Sequence, residues 1–386
     1  MNAKAFLILT LLAGLAALGA WFLAFRPAAP TPASTGTQTG ERLAPALAER
    51  AGDIASIEII SAGADPSDRA TDPVRLERDE SGAWRLASKA GFPAETDRVR
   101  QLVTSLSELR TAEPKTANPD LYDRLAVQWP DETEREADDF SARPTLVRLL
   151  DAGGNPISEI VLGDTTFAAG EPRRYARVLR DEQSWLVSGS VTIPFGPLGF
   201  ANTRFVELPR DSVRSVTIAH PNGEILELTR DDPEGDFVVA NIPDGMAMTN
   251  QALANNTGNA LAFVNFTDIE IGGTTDVSGD GNPFPDGAIS AAYTTFDGAT
   301  VTLAIEPETA ENGAVEAGWV SVHDATGEQS DEILAKFATN PLRFKLPAST
   351  IESLTRRPSE LIEDSAPEEA GPALPEGPGL PPPGDG

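Results

Sequence analysis

The chain has 386 residues, with 59 carboxylates against 30 lysines and arginines, a formal charge of −29, two histidines and no cysteine. That length holds two ordinary domains, and that charge excludes the basic surface on which nucleic acids bind. With no cysteine and only His220 and His323, disulfides, thiol nucleophiles, thiolate zinc, iron–sulfur clusters and a His-rich metal site are excluded, and no cofactor is expected.

Ala5 to Phe25 is an uncharged apolar run of 21 residues, long enough to span a hydrocarbon core of about 30 Å. Trp21, Phe22 and Phe25 sit at its far end, where an aromatic belt lies. A cleaved signal peptide is the rival reading, with Ala17-Leu18-Gly19 as its small-residue site. The apolar run continues through that site and is longer than a signal h-region, which favours an uncleaved anchor. Lys4 and Arg26 nearly cancel as orientation signals, so an inward N-terminus rests on the very short leading tail. Residues 1–26 are therefore expected to be a single-pass inner-membrane anchor, with the C-terminal bulk in the periplasm. Pro27–Gly40 has no charge and no large apolar residue and reads as a flexible tether. The linker is drawn over 27–49.

An internal repeat occupies the middle of the chain. Ile54-Ala55-Ser56-Ile57-Glu58-Ile59 matches Val213-Arg214-Ser215-Val216-Thr217-Ile218, and both alternate as half-buried strands do. Val74 to Glu80 matches Leu226 to Asp232. Each is followed by a turn and a short aromatic strand, Gly82-Ala83-Trp84-Arg85-Leu86 and Gly235-Asp236-Phe237-Val238-Val239. A helix follows in each copy. The first carries Val99, Leu102, Val103, Leu106 and Leu109 at helical spacing, with Glu95 and Asp97 where the helix dipole favours acids. The second is read over Asn250–Phe263, with Leu253, Leu261, Ala262 and Phe263 as its apolar residues.

Hairpins follow. Leu146–Leu150 turns at Asp151–Asn155 and returns through Ile157–Leu162; Ile289–Phe296 turns at Asp297-Gly298 and returns through Val301–Ile305. Tyr175-Ala176-Arg177-Val178 and Trp319-Val320-Ser321-Val322 come next. Arg204–Pro209 and Arg343–Pro347 read as the matching ends of the two copies. Trp84, Phe237, Tyr175 and Trp319 are read as core. The modules are drawn at 50–207 and 208–363. The tail, 364–386, has seven prolines, five acids and no base and reads as disordered.

Asp276, Ser278 and Asp280, with Gly281 next, place oxygen side chains at positions 1, 3 and 5 and glycine at 6, as a calcium loop requires. The twelfth position is Gly287 instead of glutamate, and Pro283 and Pro285 interrupt the loop, so a polar Gly/Asp loop is the plainer reading. No G-x-S-x-G, Walker, G-x-G-x-x-G or H-E-x-x-H motif is present. His220, before Pro221-Asn222-Gly223, and His323, before Asp324, read as surface turn residues rather than bases. Asp131–Asp139, with six carboxylates and one arginine, reads as a solvated loop. Arg173, Arg174 and Arg177 form the basic knot of the first module. They read either as a charged strand edge that resists aggregation or as a contact for an acidic partner segment.

One ordered set of features stands out. An anchor leads to an Ile57-Glu58-Ile59 strand, then to Gly82-Ala83-Trp84-Arg85-Leu86 and a Pro93-Ala94-Glu95 helix start. Leu162-Gly163-Asp164, Tyr175-Ala176-Arg177-Val178 and Trp185-Leu186-Val187 follow. This pattern resembles the bacterial domain-of-unknown-function 4340 family, from the anchor to about Ile362. The resemblance implies no established reaction and no catalytic residues. It implies an accessory role beside ABC-type export components. Together these readings predict an α+β protein: an N-terminal transmembrane helix followed by two tandem repeated modules of mostly antiparallel sheet with packed helix. The expected function is a non-enzymatic periplasmic interaction module, with the membrane and other envelope proteins, ABC transporter subunits among them, as partners. The rival functions are a glycan hydrolase using paired carboxylates and a calcium-dependent binding module.

Overall fold

The computed structural model describes residues 39–62, 73–129, 143–168, 170–240, 242–272, 287–327, 330–338 and 342–364. The apolar run 5–25, the acidic loop 131–139, the calcium-loop residues Asp276, Ser278 and Asp280, and the tail after 364 lie outside them. In chain order the described elements begin with α1 (Pro45–Arg50), β1 (Ile54–Ser61), β2 (Val74–Arg78), β3 (Trp84–Leu86), β4 (Phe92–Pro93) and α2 (Thr96–Ser107). Next come β5 (Arg110–Pro114), β6 (Thr145–Asp151), β7 (Pro156–Ala168), β8 (Glu171–Val178) and β9 (Trp185–Ser188). The second copy contributes β10 (Val213–Ala219), β11 (Ile225–Thr229), β12 (Val238–Val239), β13 (Met246–Met248), α3 (Gln251–Gly258) and β14 (Asp268–Ile271). It continues with β15 (Ile289–Thr295), β16 (Thr300–Thr309), β17 (Val315–Thr326), α4 (Ser330–Ile333), β18 (Leu342–Pro347), α5 (Ala348–Leu354) and β19 (Ile362–Asp364).

The chain divides into two compact units, Met1–Val74 with Arg100–Ile193, and Arg75–Val99 with Pro194–Gly386. In the first unit six strands pair antiparallel in the order β1-β6-β7-β8-β9-β5. In the second the order is β10-β15-β16-β17-β18-β14, with β11 and β12 added beyond β10. Strand for strand the two orders correspond, which is the duplication expressed as topology. The segment Arg75–Val99 belongs to the first copy by sequence and to the second unit by contact.

Alternation sets the registers. In β15, Ile289, Ala291, Tyr293 and Thr295 face the core while their neighbours face outward. Asp297 closes the following hairpin by accepting from Thr295 Oγ1 and, at 3.3 Å, from Ala299 N; Gly298 supplies φ +86°. The first-copy hairpin is closed in the same manner, Asp151 Oδ1 accepting from Gly153 N at 3.0 Å and Asn155 N at 2.9 Å. α3 packs on β10 and β12, and α5 on β16, β17 and β18. Tyr293 ties β15 to α3 by donating to Thr257 O at 2.9 Å, and burial drives its phenol pKa upward.

In α2, Val99, Leu102, Leu106 and the following Leu109 are buried as their spacing requires. The second helix is shorter than its reading. It is capped by Asn250, whose side chain accepts from Leu253 N, and ends at Gly258. A Cβ on Gly258 would collide with the Phe237 ring, so glycine there admits the close approach. Beyond the helix, Leu261 and Ala262 are buried but Phe263 is 69 % exposed, with the Arg204 and Arg210 guanidiniums over its ring at 5.7 and 6.0 Å.

The reading of Arg204–Pro209 as the end of the first copy is also corrected. Phe205 N donates to Val264 O and Leu208 N to Leu261 O, so this segment runs beside the stretch that precedes β14. In the first unit, Gly40–Leu43 runs beside Leu109–Thr111 in the same way. Arg204–Pro209 is thus the opening strap of the second copy. Arg343–Pro347 lies in β18, whose topological counterpart is β9. The similar letters do bring two rings together: Phe205 and Phe344 pack tilted, with centroids 5.5 Å apart. Phe92, Phe266 and Phe337 complete a five-ring cluster in the second unit.

The aromatic strands show what the repeat preserves. Trp84 and Phe237 are both buried. Each is covered by an arginine at the matched position, Arg78 over Trp84 at 4.8 Å and Arg230 over Phe237 at 4.5 Å. Trp319 is buried with its indole N–H donating to Glu308 at 2.8 Å, and Trp129 joins a core cluster with Tyr122, Val127, Leu146 and Val161.

The turn between β2 and β3 carries a pH signature. Asp79 accepts from Ser81 Oγ at 2.5 Å and from Arg85 Nε at 2.8 Å, and its Oδ1 also takes the Ser81 and Ala83 N–H groups. These bonds, the Ser81 hydroxyl first, hold its carboxyl down to about 2 from the usual 3.8. A depressed carboxylate stabilises the fold above its ordinary range and loses that contribution as pH falls through about 2. A carboxyl-carbon NMR titration is expected to find Asp79 still ionised at pH 3. A midpoint near 3.8 would show that the turn does not hold it.

Candidate functional site

The most specific local architecture in the first unit surrounds the turn Tyr122–Trp129. Ala126 has φ +54°, a left-handed conformation that a non-glycine residue keeps only when its surroundings hold it. Arg177, on β8 and 1 % exposed, supplies the hold. Its Nε and Nη2 donate to Val127 O at 3.2 and 3.0 Å, and its Nη1 to Asp181 O at 3.1 Å. Its guanidinium lies 4.4 Å from the Tyr122 ring, and Tyr122 Oη donates to Glu182 O at 2.5 Å. From the other side Gly163 brings β7 against the same turn. A Cβ there would meet Leu125 O, Ala126 O and the Val127 side chain. The Leu162-Gly163-Asp164 and Tyr175-Ala176-Arg177 motifs thus converge on one turn, and their glycine and arginine are consumed in packing it.

Arg173 and Arg174 do something different. β8 is no edge strand: β7 pairs along it, and β9 flanks it from Arg174 to Ala176. The aggregation-resisting edge expected of this cluster is therefore corrected, and Arg177 separates from the other two. Arg173 and Arg174 line a pocket of about 100 Å³ with Thr165, Ser190 and the apolar side chains of Leu109, Leu162, Val187 and Val191. Arg173 Nε is buried and makes no hydrogen bond. Arg174 Nε makes one long contact, 3.5 Å to Thr165 Oγ1. Burial lowers the Arg174 pKa, and Asp164 opposes that effect. Arg173 and Arg174 are readable in the sequence as part of a knot; Thr165 and Ser190 carry no signal, because only the β7–β8 pairing and the turn after β9 bring them there.

The second unit holds two larger cavities. One, about 380 Å³, lies between the strap and the α4 segment; Phe205, Val206, Pro209, Ile333 and Phe337 give it apolar walls, and Asn202, Arg204, Glu207 and Lys336 polar ones. Its carboxylate, Glu207, is paired with Arg204 at 2.7 Å. The other, about 170 Å³, contains Asp297 as its carboxylate, already held by the hairpin turn. Neither cavity, nor the arginine pocket, holds the two facing carboxylates that glycoside hydrolysis uses. Asp181, whose carboxyl is pushed up by burial, lines none of the three.

His220 is not a surface turn residue. It is 5 % exposed, with Nε2 3.2 Å from Arg356 O and Nδ1 buried without a hydrogen bond. The turn after it forms as read, with Gly223 N donating to His220 O. His323 is exposed on β17. Among the described residues no three His, Asp or Glu side chains group as metal ligands; Asp276, Ser278 and Asp280 lie outside those residues. Among the described residues, too, no helix is long and apolar enough to cross a membrane.

Residues 84–279, half of the chain, match the family described as Domain of unknown function (DUF4340). The match begins at Trp84 and takes in the Leu162-Gly163-Asp164, Tyr175-Ala176-Arg177-Val178 and Trp185-Leu186-Val187 motifs. No curated protein and no solved structure matches the chain.

Proposed function

This chain belongs to the DUF4340 family, and from that premise we propose that it is a membrane-tethered periplasmic interaction module, non-enzymatic, that serves as an accessory to an ABC-type export complex. The observation that carries the reading is the use made of the motif residues. Gly163 and Arg177 hold a turn by contacts with backbone carbonyls, and Trp84 lies in the core under Arg78. Side chains committed in this way build a scaffold and leave recognition to its surface. The uncharged run 5–25 supports attachment to the inner membrane with the bulk of the chain outside it. In-cell crosslinking of the full-length protein, followed by membrane solubilisation and mass spectrometry, is expected to recover an ABC permease or ATPase chain. Recovery of the protein alone, or with glycan fragments, would overturn the accessory reading.

A further inference from the structure

We propose that the Arg173–Arg174 pocket of the first unit is a receptor for a carboxylate on a short aliphatic stem, the C-terminal or side-chain carboxylate of a protein partner. The proposal rests on the interaction-module reading and names the chemistry of its partner. Two features point the same way. A buried guanidinium N–H without an acceptor is costly, and Arg173 Nε is in that position. A second guanidinium, Arg174, lines the same pocket and has been partly stripped of water; its one hydrogen bond is the long one to Thr165, and the charge of Asp164 offsets only part of the desolvation. A carboxylate placed there would accept from both, in the charge-assisted forked geometry that arginine favours.

Size and lining choose among oxyanions. About 100 Å³ with Leu162, Val187 and Val191 in the wall suits a carboxylate with a few methylene groups behind it. The protein bears a formal charge of −29, so its field opposes a phosphate dianion more strongly than a carboxylate monoanion. The pocket is thus a local reversal of sign on an acidic chain, which confers selectivity for where an acidic partner docks.

The test uses the full-length chain in detergent micelles with ¹⁵N-labelled arginine, following the arginine Nε–H resonances by NMR. The probes are acetyl-glycyl-leucine with a free carboxylate, the same peptide as its amide, and inorganic phosphate. The free acid is expected to shift the Arg173 resonance saturably and to bind at least tenfold more tightly than the amide. Arg173→Gln and Arg174→Gln are each expected to weaken it about tenfold without lowering the thermal midpoint. Arg173→Lys, which keeps the charge and loses Nε, is expected not to restore binding. Equal binding of acid and amide, binding of phosphate alone, or no shift with any probe would overturn the proposal. The titration decides the pocket whether or not crosslinking recovers a transporter chain. Conversely, a transporter chain recovered while the titration fails would leave the accessory reading standing without this pocket.

Discussion

Replacing Arg177 with methionine is expected to destabilise the first unit by about 3–5 kcal/mol. Methionine fills much of the same volume, so the loss is chiefly polar. It strands the Val127 and Asp181 carbonyls, which accept three N–H groups from this side chain. Each stranded buried acceptor costs about 1–3 kcal/mol, and the desolvated cation–π contact with Tyr122 adds up to about 2 kcal/mol. Urea unfolding followed by tryptophan fluorescence measures the effect, since Trp129 lies in the core that this turn closes. Arg173→Gln is the contrasting change. Its buried Nε has no protein partner to strand, so a comparable loss there would mean that basic charge alone, and not the clamp on the turn, is what stabilises this region.

Phe344→Ala is expected to cost the second unit about 3–5 kcal/mol. Phe344 is fully buried, and its ring meets four others, at 5.1 Å from Phe266, 5.3 Å from Phe337, 5.5 Å from Phe205 and 5.9 Å from Phe92. Removing it opens a cavity at the centre of rings contributed by four separate stretches of chain, which cannot all close in. Phe344→Leu is expected to cost about 1.5 kcal/mol or less, because most of the volume remains. Phe167→Ala is expected to be nearly neutral, since Phe167 is 80 % exposed. Chemical denaturation of the three variants orders them; an effect at Phe344 no larger than at Phe167 would show that the cluster is not a packed core.

The hairpin strands were legible because each carries its own local signature, whereas β4, β5, β13, β14 and β19 were not read as strands. Two-residue alternation in Ile289–Thr295 and Asp-Gly at the following turn are enough to fix a hairpin and its buried face. The repeat then made the two ladders predictable together. What was not legible depends on where separate stretches meet. Arg204–Pro209 and Arg343–Pro347 share letters, yet one is an opening strap and the other an interior strand, and only hydrogen bonds to distant partners distinguish them. Phe263 looked like the apolar end of a helix, but Gly258, pressed against Phe237, ends the helix five residues earlier. Arg173, Arg174 and Arg177 looked like one knot, yet their environments differ completely: Arg177 is locked on a turn and the other two line a pocket. Thr165 and Ser190 have no pattern of their own that could mark them.

The opening strap of the first copy has a mechanical consequence. Gly40 N donates to Thr111 O, Thr111 N to Glu41 O, and Leu43 N to Leu109 O, so residues 40–43 cover the outer edge of β5. Tension arriving from the residues before Thr39 falls first on these rungs, in that order. Each rung resists with about 0.5–1.5 kcal/mol. Past them the load reaches Leu43 and Leu47, both buried, each worth about 1.5–3 kcal/mol. A weak pull therefore peels the strap and stops at the leucines, leaving the rest of the unit folded. It also uncovers the N–H and C=O groups of β5, which then form an edge able to accept another strand. Load on the residues before Thr39 and exposure of a pairing edge are in this way a single event.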